Sequence, residues 1–421
     1  MIRNILFFFL LGTGFIQAQS TAKKVLWIGN SYTYVNDLPN LFRLLALSGG
    51  DSIIVDSSAP GGYSFADHTT NTTTLQKLAM NNNDFIVLQA QSQEPSFPPF
   101  QVNTETFPYA AQLDSLAHLG SPCSQTVFYM TWGRKYGDAQ NCPNYPPLCT
   151  FQGMNNRLRS SYKQMADDNE AIVSPAGVAW RTSWETDSTI NLWSSDNSHP
   201  SLAGSYLTAC VFYSTILRKS PVGLSYHAGL ADSIASFLQQ VAHQTVLDSL
   251  DTWNIGKWDV KSEFTFVLDG ENVSFVNQSD NATTYSWDFG DGTALSSETS
   301  PNHTFESTFG NSFTVQLIAQ NACESDTSMI TFEIIPTGIP TGLVESEWRV
   351  FPNPASKQVM IQASKSTQFT IEIYNSEGIL MRRFQEEGSL IPLSVETYSP
   401  GIYQVVCSSG KEQRIFRMLK N

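Results

Sequence analysis

Lys24-Val25-Leu26-Trp27-Ile28-Gly29-Asn30-Ser31-Tyr32 sets four apolar residues in a row before a small polar turn. Such a run reads as a strand buried on both faces, with Gly29-Asn30-Ser31 at its C-terminal end. A helix signal follows at once: Asp37 as cap, Pro39 in the first turn, and Leu38, Leu41, Phe42 and Leu45 as an apolar stripe that Gly49-Gly50 stops. In an open parallel sheet, the loop between such a strand and helix lies at the C-terminal strand edge, where ligands bind. Ser31 is held where a nucleophile is useful. Gly-Asn-Ser is also ordinary turn composition, so Ser31 needs partners.

Outward from that strand, residues 24 to about 255 alternate short apolar strands with helical patterns. The strands are Ser52–Asp56, Asp84–Leu88, Thr126–Thr131 and Ala171–Ser174; helical stretches lie near Thr74–Met80, Glu105–Leu119, Gln152–Asp167, Ser201–Lys219 and Ala231–Leu250. This alternation predicts an α/β domain, a parallel sheet with helices on both faces. Trp132–Thr150 has no period and reads as a long loop at the ligand-binding edge. After Trp258 the pattern becomes short alternating strands up to Ile335, then a Pro/Gly/Thr linker at Pro336–Gly342, then a second β-pattern from Trp348 to Lys420.

The 421 residues allow two to four domains. Arg3, the apolar run Ile5 to Leu11 and Ala18 read as a signal peptide over 1–18, so the expected mature protein is exported, with no transmembrane segment after cleavage. A formal net charge of −14 argues against nucleic acid or an anionic membrane as partner. Export permits disulfides, and Cys142 with Cys149 is the closest pair of the six cysteines. No Cys/His pair has zinc-ligand spacing, and no metal or organic cofactor is expected.

Near the end of the α/β unit stands Asp196-Asn197-Ser198-His199-Pro200. A carboxylate three residues before a histidine can accept from Nδ1–H, leaving Nε2 to take a proton from a serine. The same five residues also suit a polar turn before a helix capped by Ser201. Pro60-Gly61-Gly62-Tyr63-Ser64 follows the second strand and Gln89-Ala90-Gln91-Ser92-Gln93 the third, where a backbone N–H and a side-chain amide could meet an oxyanion.

With these segments on the page, the chain resembles the SGNH (GDSL-like) hydrolases over residues 24 to about 225. That family has a Ser after the first strand, a Gly after the second, an Asn after the third and Asp-x-x-His near the end. The resemblance implies a flavodoxin-like three-layer α/β/α hydrolase domain over 20–255. It implies Ser31, His199 and Asp196 as a catalytic triad, and an oxyanion hole of Ser31, Gly62 and Gln93. Gly-Asn-Ser replaces the usual Gly-Asp-Ser, a change expected to matter little. Gln91-Ser92-Gln93-Glu94 replaces Gly-x-Asn-Asp; counting from Asp84 puts Gln93 at the Asn position, with Gln91 as rival. His68 reads as a satisfied loop histidine, with a residue lining the site as the alternative. Trp132 and Tyr136 read as core or as a stacking wall for a sugar, and Asp138 and Glu94 are left unassigned.

Tyr285-Ser286-Trp287-Asp288-Phe289-Gly290-Asp291-Gly292, with Pro301–Phe305 and Phe313–Leu317, resembles a PKD domain, an immunoglobulin-like sandwich over 262–336. It implies a spacer or weak binding module. Val350-Phe351-Pro352-Asn353-Pro354-Ala355, the Ile373–Gly378 turn and the Ser399–Tyr403 segment resemble the sorting tail of the Bacteroidetes type IX secretion system, over 345–421. That implies two all-β sandwich domains after the hydrolase and a protein exported through the periplasm to the surface or medium. The expected activity is a serine esterase acting on acyl, chiefly acetyl, esters of carbohydrates. The rivals are a non-catalytic carbohydrate-binding protein or adhesin on the same scaffold, and a peptidase using the same triad.

Overall fold

The computed structural model describes residues 22–80, 82–306, 311–334, 349–376, 378–409 and 412–421; the signal segment and the linker expected from the sequence lie outside them. Strand β1 (Lys23–Ile28) is the axis of the first domain, its four apolar residues wholly buried. It runs into α1 (Ser31–Tyr34) and α2 (Leu38–Ser48). Asp37 stands at the N-cap of α2 as expected but makes no capping bond, because its backbone is left-handed. Pro39 removes one of the amides a cap would serve. After β2 (Ile53–Ser58) come α3 (Phe65–His68) and α4 (Thr72–Leu78). Then follow β3 (Phe85–Leu88), α5 (Pro99–Glu105), α6 (Phe107–Gly120), β4 (Gln125–Tyr129), α7 (Phe151–Asp168) and β5 (Ile172–Ser174). Helices α8 (Ala176–Thr186), α9 (Leu202–Leu217) and α10 (Asp232–Val246) complete the domain.

All five strands are parallel in the order β2-β1-β3-β4-β5, the flavodoxin-like winding. Because crossovers are right-handed, the β1-to-β2 connection puts α2 on one face, and the rightward connections put α4, α6 and α7 on the other. Packing agrees: α2, α9 and α10 touch in series, as do α4, α6 and α7. Trp27 illustrates the core, edge-on to Phe42 and Tyr129 and against Phe212. Burying each such ring stabilises the domain by about 1.5–3 kcal/mol. The expected helices do not include α8, which contains Gly177. A Cβ there would lie 2.2 Å from the Thr131 carbonyl oxygen, so glycine is what lets the helix approach β4.

The second domain packs two antiparallel three-stranded sheets. One joins β6 (Phe264–Asp269), β7 (Asn272–Asn277) and β9 (Asn302–Thr304); the other joins β8 (Thr284–Asp288), β10 (Asn311–Gln320) and β11 (Ser325–Ile334). Trp287, Phe275, Phe305 and Phe332 fill the space between. His303 stacks on Phe289 and bonds Asp291, a packing role. This domain forms one body with the first. Cys123, two residues before β4, is disulfide-bonded to Cys323 between β10 and β11, and Arg218 pairs with Asp259 through both guanidinium nitrogens. Val260 N–H donates to Glu324 at 2.6 Å.

The last domain is a separate unit. Its sheet runs β12 (Arg349–Phe351), β13 (Gln358–Tyr374), β15 (Gly401–Ser409), β16 (Glu412–Lys420), with β14 (Leu380–Ser394) also paired to β13. Val359, Ile371, Ile373, Leu393, Val405 and Met418 form its core.

Candidate active site

Ser31 begins α1 immediately after the turn that ends β1, and that turn is held by polar side chains from the segments that follow β1, β2 and β3. Gly29 leaves no room for a side chain: a Cβ would meet Thr33 Oγ1 at 2.4 Å and Gln89 Oε1 at 2.6 Å. Its carbonyl accepts from His68 Nε2 at 2.8 Å, while His68 Nδ1 faces the Thr74 hydroxyl at 2.8 Å. A carbonyl only accepts, so Nε2 carries a proton. Burial lowers the His68 pKa, which favours the neutral ring with Nδ1 as acceptor. Gln89, fully buried, accepts from the Asn30 N–H at 2.9 Å and Thr33 Oγ1 at 3.0 Å, and donates to Asn30 Oδ1 at 3.0 Å.

Asn30 reaches further. Its Oδ1 accepts from Tyr32 N–H, and its Nδ2 donates to the Tyr63 carbonyl at 2.9 Å and faces the Ala90 carbonyl at 3.5 Å. It therefore ties the loop after β1 to the loops after β2 and β3. A carboxylate has nothing to donate to those carbonyls, so the Asn in Gly-Asn-Ser does work that Asp could not. Sequence reasoning missed this. The signal available was an amide where the family pattern has an acid.

The Asp196–Pro200 turn lies across this loop. Asp196 Oδ1 accepts from the Ser198 and His199 amides at 3.0 Å each, and Oδ2 lies 2.5 Å from His199 Nδ1. His199 Nε2 lies 2.8 Å from Ser31 Oγ. Burial pushes the Asp196 carboxyl up, but the bonds from the His199 ring and the two amides hold it below its ordinary value. The His199 carbonyl accepts from Ser194 N–H and Oγ, and Ser201 caps α9 through Gly204 N–H at 3.1 Å. Tyr32 supports the turn from beneath, its hydroxyl 2.7 Å from Ser198 Oγ. Trp132 is core: it stacks between Tyr32 and Trp180 and donates from Nε1 to the Ser198 carbonyl. Of the expected aromatic pair, only Tyr136 is open to solvent.

Gly62, in the loop after β2, has φ +78°, and nothing lies within 4 Å of where its Cβ would be. Neither its N–H nor that of Ser31 has a partner among the described residues. Gln91 Oε1 accepts from the Gln93 and Glu94 amides, which makes Gln91 the brace of the loop after β3. Gln93 Nε2 donates to Asp138 Oδ2 at 2.6 Å. Glu94 is raised to about 7, by burial first and then by the charges of Asp67 and Glu105, and its Oε2 has no partner among the described residues. The Cys142–Cys149 bond expected from the sequence is present in the loop between β4 and α7. Among the described residues no group of three or more His, Cys, Asp or Glu is set to hold a metal ion, and no helix is long and apolar enough to cross a membrane.

No curated protein matches this chain. Among solved structures it is similar to a DUF4886 family protein from Bacteroides uniformis, at 18% identity, covering 54% of this chain and 95% of that one with a TM-score of 0.48. A protein from Slackia heliotrinireducens described as a candidate SGNH hydrolase is similar at 28% identity, covering 46% and 99% with a TM-score of 0.38. An acetyl xylan esterase follows at 14% identity, 46% and 99% coverage and a TM-score of 0.36. Residues 259–334 match the PKD domain family, and residues 349–421 match the secretion system C-terminal sorting domain. Behind its α/β domain the chain thus carries a PKD domain and a sorting domain that indicates type IX export to the surface or medium.

Proposed function

We propose that the protein is an exported serine esterase of the SGNH type. The observation that carries this reading is the 2.8 Å contact of Ser31 Oγ with His199 Nε2 while Nδ1 faces Asp196. In that arrangement His199 carries its proton on Nδ1 and offers Nε2 to the serine hydroxyl. Ser31 Oγ attacks the ester carbonyl as Nε2 takes its proton, and the carbonyl oxygen becomes an oxyanion facing the Ser31 and Gly62 amides and Gln93 Nε2. Collapse expels the alcohol, protonated by His199, and leaves an acyl-Ser31 ester. Water, deprotonated by His199, repeats the attack and frees the acid and Ser31.

Acyl groups on a polymer suit the site, because the base stands at the surface: the His199 and Asp196 side chains are 36% and 48% exposed. Tyr34, at the other end of α1 from Ser31, and Tyr136, next to Lys135 whose N–H donates to the Asn197 carbonyl, are 53% and 71% exposed and could stack on a sugar. The test is release of free acetate from acetylated glycans, and turnover of p-nitrophenyl acetate, by the full chain beside Ser31→Ala. Turnover that vanishes in the variant supports the esterase; glycan binding with no turnover in either protein returns it to an adhesin. Amide cleavage matching ester cleavage makes it a peptidase.

A further inference from the structure

The loop between β4 and α7 carries a carboxylate that the proposed reaction leaves unused. Asp138 is wholly buried, and a buried charge persists only where donors surround it. Its Oδ2 accepts from Asn141 Nδ2 at 2.7 Å and from Gln93 Nε2 at 2.6 Å. Its Oδ1 accepts from Gln140 N–H at 3.2 Å and from Arg134 Nη1 at 3.3 Å. Burial pushes the carboxyl up, but the Asn141 and Gln93 bonds and the Arg134 charge hold it below the ordinary value, so it stays ionised. Asn141, Gln140 and Arg134 belong to its own loop. Gln93 alone comes from the loop after β3.

We infer that Asp138 is the positioning residue of the side-chain oxyanion donor, an inference that rests on the esterase reading. A carboxylate only accepts, so it fixes which end of the Gln93 amide faces it. Gln91 Nε2, 3.4 Å from Gln93 Oε1, fits the same orientation from the other end. Asp138 takes one of the two Nε2 hydrogens, sets the amide plane, and leaves the second for the oxyanion. Asp138 is itself clamped: its N–H donates to the Leu148 carbonyl at 2.7 Å and its carbonyl accepts from Cys142 N–H at 2.8 Å. The Cys142–Cys149 bond closes that ring. A Cβ on Gly137 would lie 2.5 Å from the Cys149 carbonyl carbon, so the turn is pressed onto the disulfide.

The test measures kcat, KM and melting for Asp138→Leu, Asp138→Asn, Gln93→Ala and the Asp138→Leu/Gln93→Ala double variant in the full chain. Gln93→Ala removes a donor and lowers kcat by about 100-fold. Asp138→Leu lowers kcat by roughly 10- to 100-fold with KM nearly unchanged, since a misaimed group acts on the transition state. Asp138→Asn, which keeps an acceptor, loses less, and the double variant is no slower than Gln93→Ala. A double variant in which the two losses multiply overturns the inference, as does an unchanged kcat in Asp138→Leu. Should Asp138→Leu lose its cooperative melt, Asp138→Asn in the Gln93→Ala background decides by the same rule. Turnover surviving in Ser31→Ala is a different failure, that of the esterase reading itself.

Discussion

The two edges of the parallel sheet are held by opposite means. At the C-terminal edge, loops after β1, β2, β3 and β4 are joined by directed hydrogen bonds from Asn30, Gln89 and His68 and by the bond that Asp138 accepts from Gln93. At the N-terminal edge, where Cys123 precedes β4, the PKD domain is joined by a disulfide. Helix α9 starts beside the His199 turn and runs back to that edge, where Arg218 pairs with Asp259. Hydrogen bonds specify angle as well as distance, which a catalytic group needs. A covalent crossing only limits separation, which is enough for a neighbouring domain. The difference separates what must be aimed from what must merely stay attached.

Four changes would break or sharpen that contrast. Ser31→Ala has the largest effect, a kcat loss of roughly 10³-fold or more with melting unchanged, as for any triad nucleophile. Replacing Cys123 and Cys323 by Ala does the reverse: stability falls by about 2–4 kcal/mol in denaturant while kcat holds. A kcat that fell with it would dissolve the distinction between the edges. Asn30→Asp, which cannot donate to the Tyr63 carbonyl, lowers kcat by about tenfold through the Gly62 loop, because a half-buried carbonyl left without its donor costs roughly 1 kcal/mol. Steady-state kinetics at one pH checks it; wild-type rates would make the amide incidental.

Glu94 gives the smallest effect, and its sign is fixed by linkage. Its folded pKa is raised to about 7 by burial, so the folded state holds a proton that the unfolded chain gives up near the ordinary carboxylate value. Stability from this group is therefore lost as pH rises between those values. Glu94→Gln removes the loss and stabilises the chain by about 1–2 kcal/mol at pH 8, allowing for partial solvent screening, and by almost nothing at pH 4. Equal melting shifts at both pH values would refute it.

The sheet and the Ser31, Asp196, His199 cluster were legible because each signal is local. A four-residue apolar run marks β1, and a carboxylate three residues before His199 needs no knowledge of the fold. Trp287 and Phe289, alternating on one strand, were equally open. What stayed hidden was pairwise and distant. His68 looked like a loop histidine because its two partners, Gly29 and Thr74, come together only once β1, β2 and α4 are packed. Asp138 meets Gln93 across two loops 45 residues apart. The sequence separation of Cys123 and Cys323 is 200, and no spacing rule reaches that far.

The bond between Cys123 and Cys323 also settles how the α/β domain is mounted. One peptide crossing between two domains is a ball joint, free to swing through a wide cone. A second covalent crossing leaves at most rotation about the line through both, and the Arg218–Asp259 pair opposes even that. The Ser31 edge, at the far end of the sheet from the mount, therefore keeps one bearing relative to the PKD domain. A domain carried this way presents Ser31 in one fixed direction relative to the PKD domain, and gives up the freedom to search by swivelling.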